Sequence, residues 1–193
     1  MIPKYEDYEA KERQGAEKLP AGGYIAQILK AECVDYDWGT VLVVSFDIAE
    51  GPQKGFFARR WKADEGGEYE RRWKGTFRVN VPTSKSRYPK SDKDAFQDFT
   101  FAVNASNPGY TFDFDEEKLK GKKVGVLFRN REWEKDGNTG WTTECCRCVA
   151  VRKIQEGDYT VPADKPLKKK QEGAATVTPQ AADEIISDSE LPF

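Results

Sequence analysis

The sequence predicts a mainly β domain of five strands, with one helix between the third and the fourth. Three observations carry this expectation. Residues 41–49 alternate with period two, so that Leu42, Val44, Phe46 and Ile48 share one face. Phe96, Phe99, Thr100 and Val103 recur at the spacing of one helix face. Between the other strand-like runs lie segments of turn chemistry, Asp35-Tyr36-Asp37-Trp38-Gly39 and Lys135-Asp136-Gly137-Asn138-Thr139-Gly140.

In chain order, residues 1–18 form an N-terminal extension in which Tyr5, Tyr8, Lys11 and Glu12 fit one short helix, marginal by itself. Leu19-Pro20-Ala21-Gly22-Gly23 punctuates the chain, and residues 24–34 read as strand one. The turn at 35–39, where Gly39 is free to take a positive φ, leads into strand two at 41–49. Residues 50–55 break the pattern, and 56–74 reads as an insertion or long loop around Gly66-Gly67. Residues 76–81 are strand three, with Phe77, Val79 and Val81 inward and Pro82 closing it. After a basic loop at 84–93, Ser91 and Asp94 make a capping-box-like helix start, and Asn107-Pro108-Gly109 stops the run. Residues 113–119 are an acidic loop with a helical turn. Strands four (124–134) and five (141–153) form a hairpin, and 157–166 closes the domain. Three strands, a helix and two strands is the layout of the OB-fold, a five-stranded Greek-key barrel, here spanning residues 19–166. Residues 167–182 read as a disordered linker and 183–193 as an acidic tail.

A length of 193 residues suits one domain, and the 38% hydrophobic fraction is low while five Trp keep the aromatics plentiful. The polar deficit therefore belongs to the termini and loops. The formal charge of −2 hides segregation: removing the four basic and five acidic groups of residues 1–20, and the five acidic groups of 171–193, from totals of 31 and 33 leaves 27 basic and 23 acidic. Binding to an anion must then come from local clustering. There is neither an apolar run of bilayer length nor the apolar core of a signal peptide, so a cytosolic protein with reduced thiols and no membrane partner is expected. The absence of His excludes Ser-His and Cys-His catalysis and His-ligated metals. No nucleotide loop or nucleophile elbow is present, and an enzyme with a cofactor is not expected.

Binding to single strands requires cations for phosphates and flat rings for bases. In strand four, Arg129, Arg131 and Trp133 have one parity, opposite to Val124, Val126 and Phe128. In strand five the parity of Trp141 takes in Arg147. Further candidates are Arg59, Arg60, Trp61, Arg71, Arg72, Trp73, Lys74 and Arg78 before and along strand three, and Tyr36 and Trp38 in the first turn. The competing reading places the Trp rings in the core and the Arg residues in solvent. Cys33, Cys145, Cys146 and Cys148 could supply a four-thiolate zinc site. Strand parity opposes that, since Cys146 and Cys148 face one way and Cys145 the other unless a bulge intervenes. The carboxylates Asp113, Asp115, Glu116 and Glu117 fit a Mg²⁺ site or, more simply, a solvated face.

The ending Asp188-Ser189-Glu190-Leu191-Pro192-Phe193 resembles the tail of bacterial single-stranded DNA-binding proteins, an acidic run followed by Ile-Pro-Phe. Here Ser187 and Ser189 dilute the acidic run, and Leu191 stands in the Ile position. The resemblance implies that Asp188, Glu190, Leu191, Pro192 and Phe193 bind replication, repair and recombination proteins, with the terminal ring in an apolar pocket. A plain solubilising tail is the alternative. Leu19-Pro20-Ala21-Gly22-Gly23-Tyr24, Asp47-Ile48-Ala49-Glu50-Gly51, Gly121-Lys122-Lys123-Val124-Gly125 and Gly157-Asp158-Tyr159 resemble blocks of phage and prophage single-stranded DNA-binding proteins. That resemblance implies coating of single strands in phage replication or recombination, with little sequence preference. A protein-interaction adaptor with an OB-like barrel and an RNA-binding OB domain are the other expectations.

Overall fold

The computed structural model describes residues 17–65 and 70–167. Strands β1 (Gly22–Tyr36), β2 (Gly39–Ile48), β3 (Thr76–Val81), β4 (Lys123–Lys135) and β5 (Asn138–Val149) make one antiparallel sheet in the order β3-β2-β1-β4-β5. Helices α1 (Phe56–Ala63), α2 (Pro89–Ser106) and α3 (Val151–Glu156) lie after β2, β3 and β5, and a 3-10 turn, Glu116–Leu119, precedes β4. The fold is mainly β, as expected.

β1 is shared between two partners. Its residues Ala26 to Tyr36 pair with β2 and Gly22 to Gln27 with β4, with a bulge at Leu29 in the β2 ladder. Ile28 continues on the β4 side, donating to Lys122 O and accepting from Gly121 N at 2.9 and 2.8 Å. The β2 alternation holds: Leu42, Val44, Phe46 and Ile48 are buried in the core beside Val124, Val126 and Phe128 of β4. Phe96, Phe99, Ala102 and Val103 of α2 close the same core. Full burial of each such side chain contributes roughly 1.5–3 kcal/mol. Val41, Val43 and Ser45, of the other parity, are buried as well. β2 is thus covered on both faces, as an interior strand flanked by β1 and β3.

Two expectations are corrected. Residues 56–63, read as part of a loop, form α1, which buries Phe56, Phe57 and Trp61. Its N-terminus is capped from a distance: the Asp47 carboxylate on β2 accepts from Phe57 N (Oδ1, 2.9 Å) and Ala58 N (Oδ2, 3.1 Å). Local spacing cannot reveal a cap supplied from ten residues upstream. Residues 151–153, read as the end of strand five, belong to α3, which Gly157 ends at φ 70°. Val149-Ala150-Val151 looks β-like, and six residues are too few for a helical period to register. α3 comes down onto β4 at Gly125, where a Cβ would meet Ile154 Cγ1 at 2.8 Å and Val149 O at 2.9 Å.

Replacing Asp47 by Ala should destabilise the protein by about 1–2 kcal/mol through loss of the α1 cap, read as a lower denaturant midpoint with an unchanged slope. An unchanged midpoint would show that α1 holds without the carboxylate.

Candidate nucleic-acid interface

β1 begins at Gly22, opposite Phe128, so β4 and β5 run on beyond it as a two-stranded arm. Along the arm Arg129 pairs with Glu144, Arg131 with Thr142 and Trp133 with Gly140, which keeps these three β4 residues on one face. Arg129 donates through Nε and an Nη to Glu144 Oε1 at 2.9 and 2.8 Å, and Arg131 reaches Oε2 at 3.4 Å. Lys165 Nζ lies 3.7 Å from the same carboxylate. Three cations therefore share one anion at this point of the arm. The Lys165 segment is held along the open edge of β4, with Glu132 N donating to Lys165 O (2.9 Å) and Lys165 N to Asn130 O (2.8 Å). Trp133 lies across Gly140, where a Cβ would come within 2.8 Å of its ring, and it remains 38% exposed.

Strand five departs from simple parity. Leu127 pairs with Arg147 and Phe128 with Cys145, so Cys146 is an extra, bulged residue. Trp141 and Arg147 therefore do not share a face by counting. Trp141 stands opposite Glu132, 42% exposed, while Arg147 reaches Asp98 of α2 at 3.2 Å. The same bulge corrects the cysteine parity. Cys145 and Cys148 sit opposite Phe128 and Val126, on one side, and Cys146 donates its thiol to Leu127 O. Burial, with Cys148 beside it, pushes the Cys145 thiol well up. Cys33 is exposed on β1. Among the described residues no three His, Cys, Asp or Glu side chains come together as a metal site. That includes the 113–117 carboxylates, of which Asp113 and Asp115 instead pair with Lys118.

At the β1–β2 turn Tyr36 and Trp38 stack, centroids 5.1 Å apart and planes 9° from parallel, with Trp38 50% exposed. Beside them a cavity of about 330 Å³ is lined by Trp38, Thr40, Asn80, Arg87, Tyr88 and Asp92. Sequence reasoning flagged Trp38 but missed Asn80, Arg87, Tyr88 and Asp92, because only the β2–β3 pairing and the first turn of α2 bring them together. It also missed Glu144 and Lys165, whose partners come from other segments.

The remaining candidates divide. Trp61 and Trp73 are buried in the core, and Trp73 Nε1 donates to Phe46 O and Gly75 O, both at 3.1 Å. Their rings offer no face to a base, which corrects that expectation for these two. Arg71 packs over Trp61, 4.7 Å from its centroid. Arg60 donates to Glu17 O (3.2 Å), and Arg59 to Lys54 O. Arg72, Lys74 and Arg78 are exposed. The tail residues Asp188, Glu190, Leu191, Pro192 and Phe193, and the expected short helix near Tyr5, lie outside the described residues.

Thiol chemistry tests the packing here. Partial burial and the neighbouring Glu116 raise the Cys33 thiol above its ordinary value, so its thiolate is scarce at neutral pH and grows as pH rises. Iodoacetamide mapped by mass spectrometry should label Cys33 slowly at neutral pH and faster in alkali, and Cys148 only after denaturation. Early labelling of Cys148 would contradict its burial.

No helix among the described residues is long and apolar enough to cross a membrane. A scan against protein-family models and a search of the curated proteins return no match to this chain.

Proposed function

We propose that this chain is an OB-type, non-enzymatic protein that binds single-stranded DNA with little sequence preference. The observation that carries the reading is the set of exposed rings at the two hairpins: Trp38 at the β1–β2 turn, Trp133 on the face of the arm that carries Arg129 and Arg131, with Lys165 at their shared Glu144, and Trp141, opposite Glu132, on the arm's other face. In a five-stranded Greek-key barrel these are the two loops that hold oligonucleotides. The strand order β3-β2-β1-β4-β5 fits such a barrel, and its two edge strands, β3 and β5, approach one another. Rings accept any base, and each stacked base is worth roughly 1–3 kcal/mol. Guanidinium groups that share a single carboxylate, Arg131 exposed and Arg129 half-buried, keep donors for phosphates. In this reading the C-terminal tail recruits replication and repair proteins, in keeping with its resemblance to bacterial single-stranded DNA-binding proteins and with the phage-like blocks of the body. A protein adaptor is the second reading, favoured by the exposed Phe101 and Phe114 rings of another part of the surface.

Fluorescent oligo-dT, titrated against duplex of equal length, tests the proposal. Changing both Arg129 and Arg131 to Ala should weaken oligo-dT binding and flatten the slope of log affinity against log salt by about 0.7 for each phosphate no longer neutralised. Glu144→Gln should act in the opposite direction, tightening binding most at low salt. Unchanged affinity and slope in folded variants would move the site off the arm. Deleting Phe193 should abolish capture of host replication proteins while oligo-dT binding persists; capture without it would reduce the tail to a solubiliser.

A further inference from the structure

The cavity beside the β1–β2 turn has properties that stacking on exposed rings does not explain. Its volume of about 330 Å³ lies at the small end of ligand pockets, which run from roughly 300 to 1,000 Å³. It suits a group of nucleotide size better than an extended cofactor. Two flat rings line it: Trp38, backed by Tyr36, and Tyr88, which carries the Arg87 guanidinium 5.5 Å from its centroid. Tyr88 is 62% exposed, so its ring face is open to a ligand. Aromatic walls with a cation nearby match a base and its phosphate.

The polar groups narrow the choice of base. The Thr40 hydroxyl donates to Asp35 Oδ1 at 2.6 Å, and the Ser86 hydroxyl accepts from Thr83 N at 3.0 Å while donating to Val81 O at 3.5 Å. Those hydroxyls are committed to their own loops. Asn80 and Asp92 remain. Asn80 Nδ2 donates to Asp92 Oδ1 at 2.9 Å, which fixes the carboxylate, and Asp92 is only 8% exposed although it lines the cavity. A carboxylate only accepts, and it has room for several hydrogen bonds. The base that presents two adjacent N–H donors on its Watson–Crick edge is guanine, through N1 and N2. Adenine and cytosine set an acceptor beside their amine, and thymine has a single N–H between two carbonyls. A desolvated carboxylate is penalised heavily when the partner beside it is another acceptor.

We infer that this cavity is a reading subsite for one guanine base, stacked against Trp38 and Tyr88, with its N1–H and N2–H donated to Asp92 and the second amide N–H of Asn80 directed to O6. The subsite rests on the proposal that the neighbouring surface binds single-stranded nucleic acid. It adds a preference at one position to binding that is otherwise tolerant of sequence.

The test compares a dT oligomer with the same oligomer carrying one central dG, dA or dC. The dG oligomer should bind about tenfold tighter than the others, the discrimination typical of a good two-point base contact. In Asp92→Asn that ratio should fall to about one, with circular dichroism and the denaturation midpoint showing that the variant folds. Should Asp92→Asn fail to fold, Tyr88→Ala at the exposed ring supplies the second variant, and it too should lower the ratio. Independently, guanosine monophosphate should quench tryptophan fluorescence where thymidine monophosphate does not, and Trp38→Phe should remove that change. Equal affinity for all four oligomers, or a preference for dA or dC, overturns the guanine assignment. Quenching by guanosine monophosphate without any oligo-dT binding upholds the pocket and overturns the single-strand reading, so the two failures are distinguishable.

Discussion

β1 pairs on both sides, but over different lengths, and most of the architecture follows from that. Only Ala26 and Gln27 have partners in both β2 and β4. Below them β1 belongs to β4 and above them to β2, and the bulge at Leu29 sits where the change is made. A bulge bends a strand and increases its twist, so the β2–β3 and β4–β5 halves diverge from the shared segment. The 3-10 turn closes the gap next to β1, burying Leu119 completely, and residues 121 and 122 hydrogen-bond Ile28 there. Because β1 stops at Gly22, the far half of β4 is left without its inner neighbour, and the arm that carries Arg129, Arg131 and Trp133 exists for that reason.

An unpaired edge on such an arm is a liability, since free N–H and C=O groups invite pairing with another chain. The segment at 164–167 covers it with two backbone hydrogen bonds, an Asn130–Asp164 side-chain bond at 2.9 Å and a bond from Leu167 N to Glu132 at 2.9 Å. Covering the edge also brings Lys165 to Glu144. The resulting ion pairs are partly exposed, and pairs of that kind contribute about 0–1 kcal/mol each. Their low worth bears on the proposed function: an incoming phosphate would displace a weakly held carboxylate without a large loss of fold stability. Glu144 then keeps the Arg129 and Arg131 guanidinium groups ordered side by side.

What was legible in the sequence was whatever rested on local period and turn chemistry. Leu42, Val44, Phe46 and Ile48 declared the inner face of β2, and the Phe96–Phe99–Val103 spacing declared α2. Arg129, Arg131 and Trp133 were readable as one face because β4 is unbroken across them. The failures came wherever a distant residue decided a local state. α1 depends on Asp47, which belongs to β2, and its two Phe residues and Trp61 were hidden among arginines that pointed to a binding loop. One bulged residue, Cys146, reversed the parity count in β5 for both the cysteines and Arg147. Trp61 and Trp73 could not be told from exposed rings by type alone, since tryptophan is suited equally to a core and to a stacking surface. Asp92 carried no local signal either, as it looked like an ordinary acidic residue in the first turn of a helix.

The proposed surface and the proposed subsite answer to different energetics. Stacking on Trp133 or Trp141 gains nearly the same from every base, so a chain that used rings alone would slide along a strand with little to stop it. A buried acceptor behaves otherwise. Its gain from the right base is modest, but its loss with the wrong one includes desolvation of a carboxylate left without donors. Such a group rejects more strongly than it attracts, as sites built to hydrogen-bond a polar edge generally do. One Asp92-type contact among several stacking contacts therefore leaves overall affinity almost independent of composition while fixing where along the strand the protein rests. Under the two proposals tolerance and register would thus be separable in a single small domain, the first supplied by exposed rings on the β4–β5 arm and the second by two side chains held between β3 and α2.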